Sequence, residues 1–247
     1  MTKDLLWRGM LVGMLAALLS TLFARTFAEP YVDQAIAFEA MHAAHDPGHH
    51  ADEGPELVSR ETQKGAGLLT AMTLYGAAVG GIFALVFAYG YGRWARIGPR
   101  SFALLLAAGA FLLIVIVPAL KYPPTPPAVG QHETVGLRTA AYFGLIALSL
   151  AMAVLAMKVR GLVLQHTGTF NASLCGALVF VVGIALSQLA LPVIDEVPPD
   201  FPASSLWAFR ISSFGTQAVL WTTIGLGFGI LADRIIRQHS WTSPAKA

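Results

Sequence analysis

The sequence is poor in charge and almost free of cysteine. Only 12% of its 247 residues are Asp, Glu, Lys or Arg, against roughly 25% in a typical soluble domain. Hydrophobic residues reach 55% and mean hydropathy is +0.63, so an ordinary soluble fold is excluded and a polytopic membrane protein is the natural class. The one cysteine, Cys175, sits in an apolar run, which excludes a disulfide framework and a thiolate metal site and leaves it as a small packing residue. A formal net charge of +2 with no basic-aromatic patch gives no basis for nucleic-acid binding. No GxxxxGK[ST] pattern occurs, so the chain does not hydrolyse ATP by itself. The lack of HExxH, of a nucleophile elbow and of paired histidines in apolar runs argues against an enzyme. Lys and Arg are also missing from the whole of 29–56, EPYVDQAIAFEAMHAAHDPGHHADEGPE. That stretch is instead rich in acids and histidine.

What the chain has in plenty is apolar runs of membrane length. Six occur, at about 5–28, 67–90, 101–120, 138–157, 173–192 and 214–232. Backbone polar groups in hydrocarbon must be satisfied within their own segment, so these runs are predicted as helices, giving an all-α integral membrane protein with six spans. The chain reads as one polytopic domain over 1–247. The first run follows Lys3 and Arg8, and Thr26-Phe27-Ala28 resembles a signal-peptide cleavage site, but its length favours a retained helix.

With the N-terminus taken as cytoplasmic, that side holds Lys3, Arg8, Arg93, Arg96, Arg100, Lys158, Arg160, Arg234, Arg237 and Lys246, ten of the 16 basic residues. The excess places both termini in the cytoplasm. Of the 14 acids only Asp4 and Asp233 fall on the inner side, so the outer face is expected to concentrate cations. The inner loops, YGRWARIGPRS and KVRGLVLQHTGTFNAS, read as short basic anchors. His166 and His239 read as solvated, and Asn171-Ala172-Ser173 lies on the wrong side to be glycosylated. Gly9, Gly13, Gly76, Gly80, Gly81, Gly225, Gly227 and Gly229 allow close helix packing. Gln188 and Gln217 are the polar side chains best placed within spans, as a pathway or as interhelical glue.

The expected outer loops carry the prolines: Pro30, then LKYPPTPPAVG within a loop at 121–137, then LPVIDEVPPDFP within one at 192–213. Proline fixes φ and removes a donor, so these segments are stiff and non-helical. Arg60, Arg138 and Arg210 each follow such a segment near the start of the returning helix.

The first outer segment, 29–66, has its own chemistry. Pro30 suits the first turn of a helix with Glu29 at its cap and Asp33 close behind. AIAFEAMHAAHD then reads as an amphipathic helix outside the bilayer. Glu39, His42 and Asp46, at i, i+3 and i+7, share one face with His45 on its edge, and His49 and His50 follow Pro47-Gly48. Imidazole plus carboxylate suits Co(II), Ni(II) or Zn(II). A thiolate-free set would bind weakly and exchange readily, which fits capture of a passing ion, with no metal tightly bound. The alternative is a solvated loop whose histidines carry no role.

FAEPYVDQAIAFE, VSRETQKGAGLLTAMTLYGAAVGGIFALVFAYGYGR, LKYPPTPPAVGQHETVGLRTAAY and LPVIDEVPPDFPASSLWAFRISSFGTQAVLW together resemble the CbtA family, cobalt transporter subunits of bacterial inner membranes, nearly end to end. The resemblance implies a multi-pass inner-membrane protein that moves cobalt inward in support of cobalamin synthesis. It also implies a small single-helix, histidine-bearing partner, CbtB. The family's characteristic positions fall here on Glu29, Pro30, Asp33, Glu39, Lys121, Tyr122, Pro123, Asp195, Glu196 and Arg210. Two readings follow. In one the chain is a permease subunit, with metal met at His42, His45, His49, His50, Glu39 and Asp46 and passed near Gln188, Gln217 and the Asp195-Glu196 pair. In the other it is an accessory protein that presents metal to a separate carrier, which the lack of an acid deep in any span favours.

Overall fold

A computed structural model describes residues 1–45, 65, 67–94, 96–127, 129 and 134–242. Among these the chain is helical: α1 (Thr2–Phe27), α2 (Glu29–His45), α3 (Leu68–Gly90), α4 (Pro99–Ala119), α5 (Val135–Leu164), α6 (Thr169–Ala190) and α7 (Ala203–Thr242). All but α2 are long and apolar enough to cross a membrane. The six expected spans are therefore present, with longer helices in the second half. α5 runs on through Val159–Leu164, where a loop was expected, because Leu162, Val163 and Leu164 keep the segment apolar and Gly161 is tolerated inside it. α7 starts at Ala203, just past Pro202, the last proline of its loop, so Arg210 lies within the helix.

The chain forms two compact units. The first joins residues 1–110 to 211–247, and the second spans 111–210. In the first unit α1 and α3 run antiparallel through the predicted glycines. A Cβ on Gly13 would fall on the carbonyl oxygen of Gly76, and one on Gly76 would meet Gly13 and, at 2.6 Å, the Ala17 methyl. Gly9 and Gly80 stand in the same relation one turn along. Lipid supplies no hydrophobic force between helices, so this backbone-to-backbone approach, with its dispersion and Cα–H···O contacts, is what holds the pair. Ser20 and Thr21, buried on α1, both donate to the Ala17 carbonyl, which leaves no hydroxyl unsatisfied in the apolar contact.

α7 packs antiparallel on α1 and α4, with Gly227 against Val12, Gly215 against Phe23 and Gly225 against Ala107. Phe83, Phe87, Phe102 and Phe228 knit α3, α4 and α7. The Phe228 ring meets Phe87 at 5.1 Å and Phe83 at 5.4 Å, both edge-on, the arrangement the ring quadrupole favours. Just beyond α3, Gly92 adopts φ +76°, a conformation that side chains resist.

In the second unit α5 and α6 run antiparallel, with Gly176 against Ala156 and Gly183 against Met152. Tyr122, Ala141 and Leu145 form a buried cluster with Tyr142, Leu191 and Ile194 around it. Only 17% of the apolar stretch of α5 is covered by the rest of the chain. Leu137, Phe143, Leu178, Val181 and Leu186 stand outward, as lipid-facing positions do.

The glycine contacts give a direct test. Gly76→Leu forces a side chain into the α1 backbone and should lower stability by about 1–3 kcal/mol or abolish folding. Gly136→Leu, where nothing lies within 4 Å, should be nearly silent. Thermal unfolding of the purified protein in detergent reads the difference.

Candidate functional site: proline-ended helices and the residues that cap them

Three helices carry a proline in or just beyond their last turn, and each proline removes one backbone donor. Pro30 interrupts the join of α1 and α2. Tyr31 and Val32 both donate to Ala28, so the Phe27 carbonyl loses its helical donor. The Ser212 hydroxyl of α7 donates to it at 2.9 Å. In α4, residues Phe111–Ile116 are wound as a π-helix ahead of Pro118. Pro118 has no N–H to donate back into that segment. The hydroxyl of Ser149, a fully buried residue on α5, donates to the Leu113 carbonyl instead. Beyond α6, Pro192 cannot serve the carbonyl of Gln188, four residues back, and the Lys121 ammonium donates to it.

The second unit gathers most of this chemistry. The Gln188 carboxamide reaches across to the Val117 carbonyl at 3.0 Å, and the Tyr122 hydroxyl donates to Pro192 O at 2.7 Å. Beside them Glu196, its side chain 7% exposed, accepts from the Arg138 guanidinium and the Thr134 hydroxyl. Arg210 donates from Nε to the Pro124 carbonyl at 3.4 Å. Arg138 and Arg210, each expected near the start of a returning helix, thus tie down the two proline-rich linkers. Arg60 lies outside the described residues.

The predicted site residues separate into groups. Gln188 and Glu196 fall in the capped region just described, and Arg210 pins its proline-rich segment. Asp195 is exposed, with its own carboxylate accepting from Val197 N at 3.4 Å, an Asx turn. Gln217 is half-buried on α7, in the first unit. Glu29 heads α2 and lies 3.7 Å from Arg25 across solvent-exposed surface, an ion pair of small energetic weight. Asp33 and Glu39 are exposed on α2. His42 and His45 belong to the last turns of that helix, with their side chains outside the described residues, as are Asp46, His49 and His50 entirely. Among the described residues no group of three or more His, Cys, Asp or Glu side chains could hold a metal ion.

Sequence reasoning passed over Ser149, Ser212, Thr134 and Asp233. The first two had a signal, because a proline near a helix end requires a donor from elsewhere, but the sequence does not say from where. Asp233, 4% exposed near the C-terminal end of α7, is held by Arg100 Nε at 2.9 Å and Arg237 Nε at 3.0 Å. Its signal was an acid one turn before an arginine at the end of an apolar run. Occupied by two guanidinium groups, it ties α7 to the start of α4.

Six membrane-length helices with lipid-facing surfaces and buried, paired charges define a multi-pass membrane protein. The family described as probable cobalt transporter subunit (CbtA) matches residues 2–233, and the chain belongs to that family. A transporter subunit is not an enzyme. No curated protein and no solved structure matches the chain.

The Glu196 knot makes a second prediction. Arg138→Met alone leaves a buried carboxylate uncompensated and should cost about 3–5 kcal/mol, whereas Arg138→Met combined with Glu196→Gln should recover most of the loss. Denaturant unfolding of the three proteins tests this, and an equal loss in the double variant would contradict it.

Proposed function

We propose that the chain is the membrane subunit through which Co(II) enters a bacterial cell across the inner membrane, in support of cobalamin synthesis, with both termini cytoplasmic. The observation that carries this reading is the family match over 2–233. Supporting the orientation, the antiparallel packing of the first unit brings the start of α1, the end of α3, the start of α4 and the end of α7 to one side, where Lys3, Arg8, Arg93, Arg100, Arg234 and Arg237 gather. The outer segment that opens at Glu29 and Asp33 captures the ion, with Glu39, His42, His45, Asp46, His49 and His50 as exchangeable ligands. Ni(II) shares the same ligand chemistry. Gln188, Asp195, Glu196, Arg210 and Gln217 belong to the cap and the passage. The family's designation as a subunit supports a partner, and a small single-helix protein bearing histidines fits that role. In the absence of a nucleotide-binding loop, energy comes from the membrane potential, a gradient or the partner.

A second reading, in which the chain presents metal to another carrier, draws support from the spans. The one carboxylate of the described part of α7, Asp233, lies near its C-terminal end and is taken up by arginines, and passage of dications ordinarily needs an available acid within the span. Uptake of radiolabelled cobalt separates the two. Cells expressing the chain should accumulate cobalt several-fold above background, and the fourfold change of His42, His45, His49 and His50 to Ala should lower uptake at limiting cobalt. Uptake should also fall below about pH 6, where imidazole protonates and ceases to be a ligand. Metal binding by purified protein with no uptake into reconstituted vesicles would leave the presenting role in place of import.

A further inference from the structure

The C-terminal ends of α4 and α6 meet in the second unit. Val117, in the last turn of α4, accepts from the carboxamide of Gln188, in the last turn of α6, and Lys121 folds back to donate to Gln188 O. Each helix C-terminus carries roughly half a negative charge on its unsatisfied carbonyls. Two such ends together attract a cation, and Pro192 sharpens the effect by leaving Gln188 O without a backbone donor. Interrupted helices of secondary transporters coordinate cations with carbonyls of this kind. Among the described residues, the charge donated to these carbonyls is the Lys121 ammonium. An ammonium offers three N–H donors from a compact positive centre. A divalent cation in its water shell is larger and carries twice the charge, and it offers O–H donors to the same acceptors.

We propose that the paired ends of α4 and α6 form a site for a hydrated divalent cation, with the Lys121 ammonium as its resident substitute, displaced as the cation enters. The inference rests on the import reading and adds the form in which the metal is met, with its water shell intact and before any inner-sphere ligand. The Val117 and Gln188 carbonyls accept from that shell, and the Tyr122–Pro192 hydrogen bond at 2.7 Å holds the end of α6 in place.

Hexaamminecobalt(III), whose ligands do not exchange, binds only through its N–H donors and so probes this site without engaging imidazole or carboxylate directly. The full-length protein in nanodiscs, at about 0.15 M salt to suppress diffuse surface attraction, is titrated with Co(II) and with hexaamminecobalt(III). Lys121→Met should bind both at one saturable site at least about tenfold more tightly than wild type, and Lys121→Arg no more tightly than wild type. Unchanged or weaker binding by Lys121→Met would overturn the proposal and leave Lys121 as a helix cap only. If that variant does not fold, the wild type decides. Acylation of Lys121, followed by mass spectrometry, should accelerate several-fold when hexaamminecobalt(III) is added, and an unchanged rate overturns the proposal. Because these experiments read binding and not transport, a protein that imports cobalt while ignoring hexaamminecobalt(III) removes this site alone. One that binds it without importing cobalt removes import alone.

Discussion

Hydrocarbon contains no hydrogen-bond donors, and that single deficiency governs how this chain can use proline. In water a carbonyl that loses its helical partner turns to solvent. In lipid it must find a donor in the protein, or the helix end becomes expensive to bury. Pro30, Pro118 and Pro192 each create such a carbonyl, and Ser212, Ser149 and Lys121 each supply a donor from another helix or from the chain just beyond one. The prolines therefore specify tertiary contacts by omission. In α4 the winding changes just ahead of Pro118, and Ser149 of α5 donates to the Leu113 carbonyl within the π-wound segment.

Charge is treated in a parallel way. Glu196 and Asp233 are the well-buried carboxylates of the described chain, one in each unit, and both are fully engaged by arginine. Neither is left open to a passing metal ion. Buried pairs of this sort add little net stability yet are costly to break, so their worth lies in fixing which helix ends sit together. The remaining polarity of the second unit lies instead in backbone carbonyls, each met by a single side-chain donor, and in the exposed Asp195.

The six spans could be read from apolar run length alone, since the bilayer sets a length that few other environments demand. The glycine contact of α1 and α3 was legible as small residues at four-residue spacing, and Pro30 as the start of a helix. Helix ends were harder. Val159–Leu164 looked like a loop because Arg160 and Gly161 interrupt the hydropathy, whereas the helix continues across them to Leu164. The pairing of Arg138 with Glu196 and of Ser149 with Leu113 spans 58 and 36 residues, and nothing local in a single sequence reports such distances. Gln188 was visible as a polar residue in a span. Interhelical glue was one of its two readings, but the partner it joins, the end of α4, was not legible.

The first unit is assembled from both ends of the chain, with the whole of the second unit lying between them in sequence. During synthesis α1 and α3 can lock through their glycines as soon as α3 is made. The Phe27 carbonyl, the Phe87 ring and the Arg100 guanidinium must then wait for α7. Until that last helix arrives, the early part of the protein carries an open seam inside the membrane. A ribosome that stops short therefore releases a product marked as incomplete by its own unsatisfied groups, in a form that membrane proteases and insertion factors can recognise.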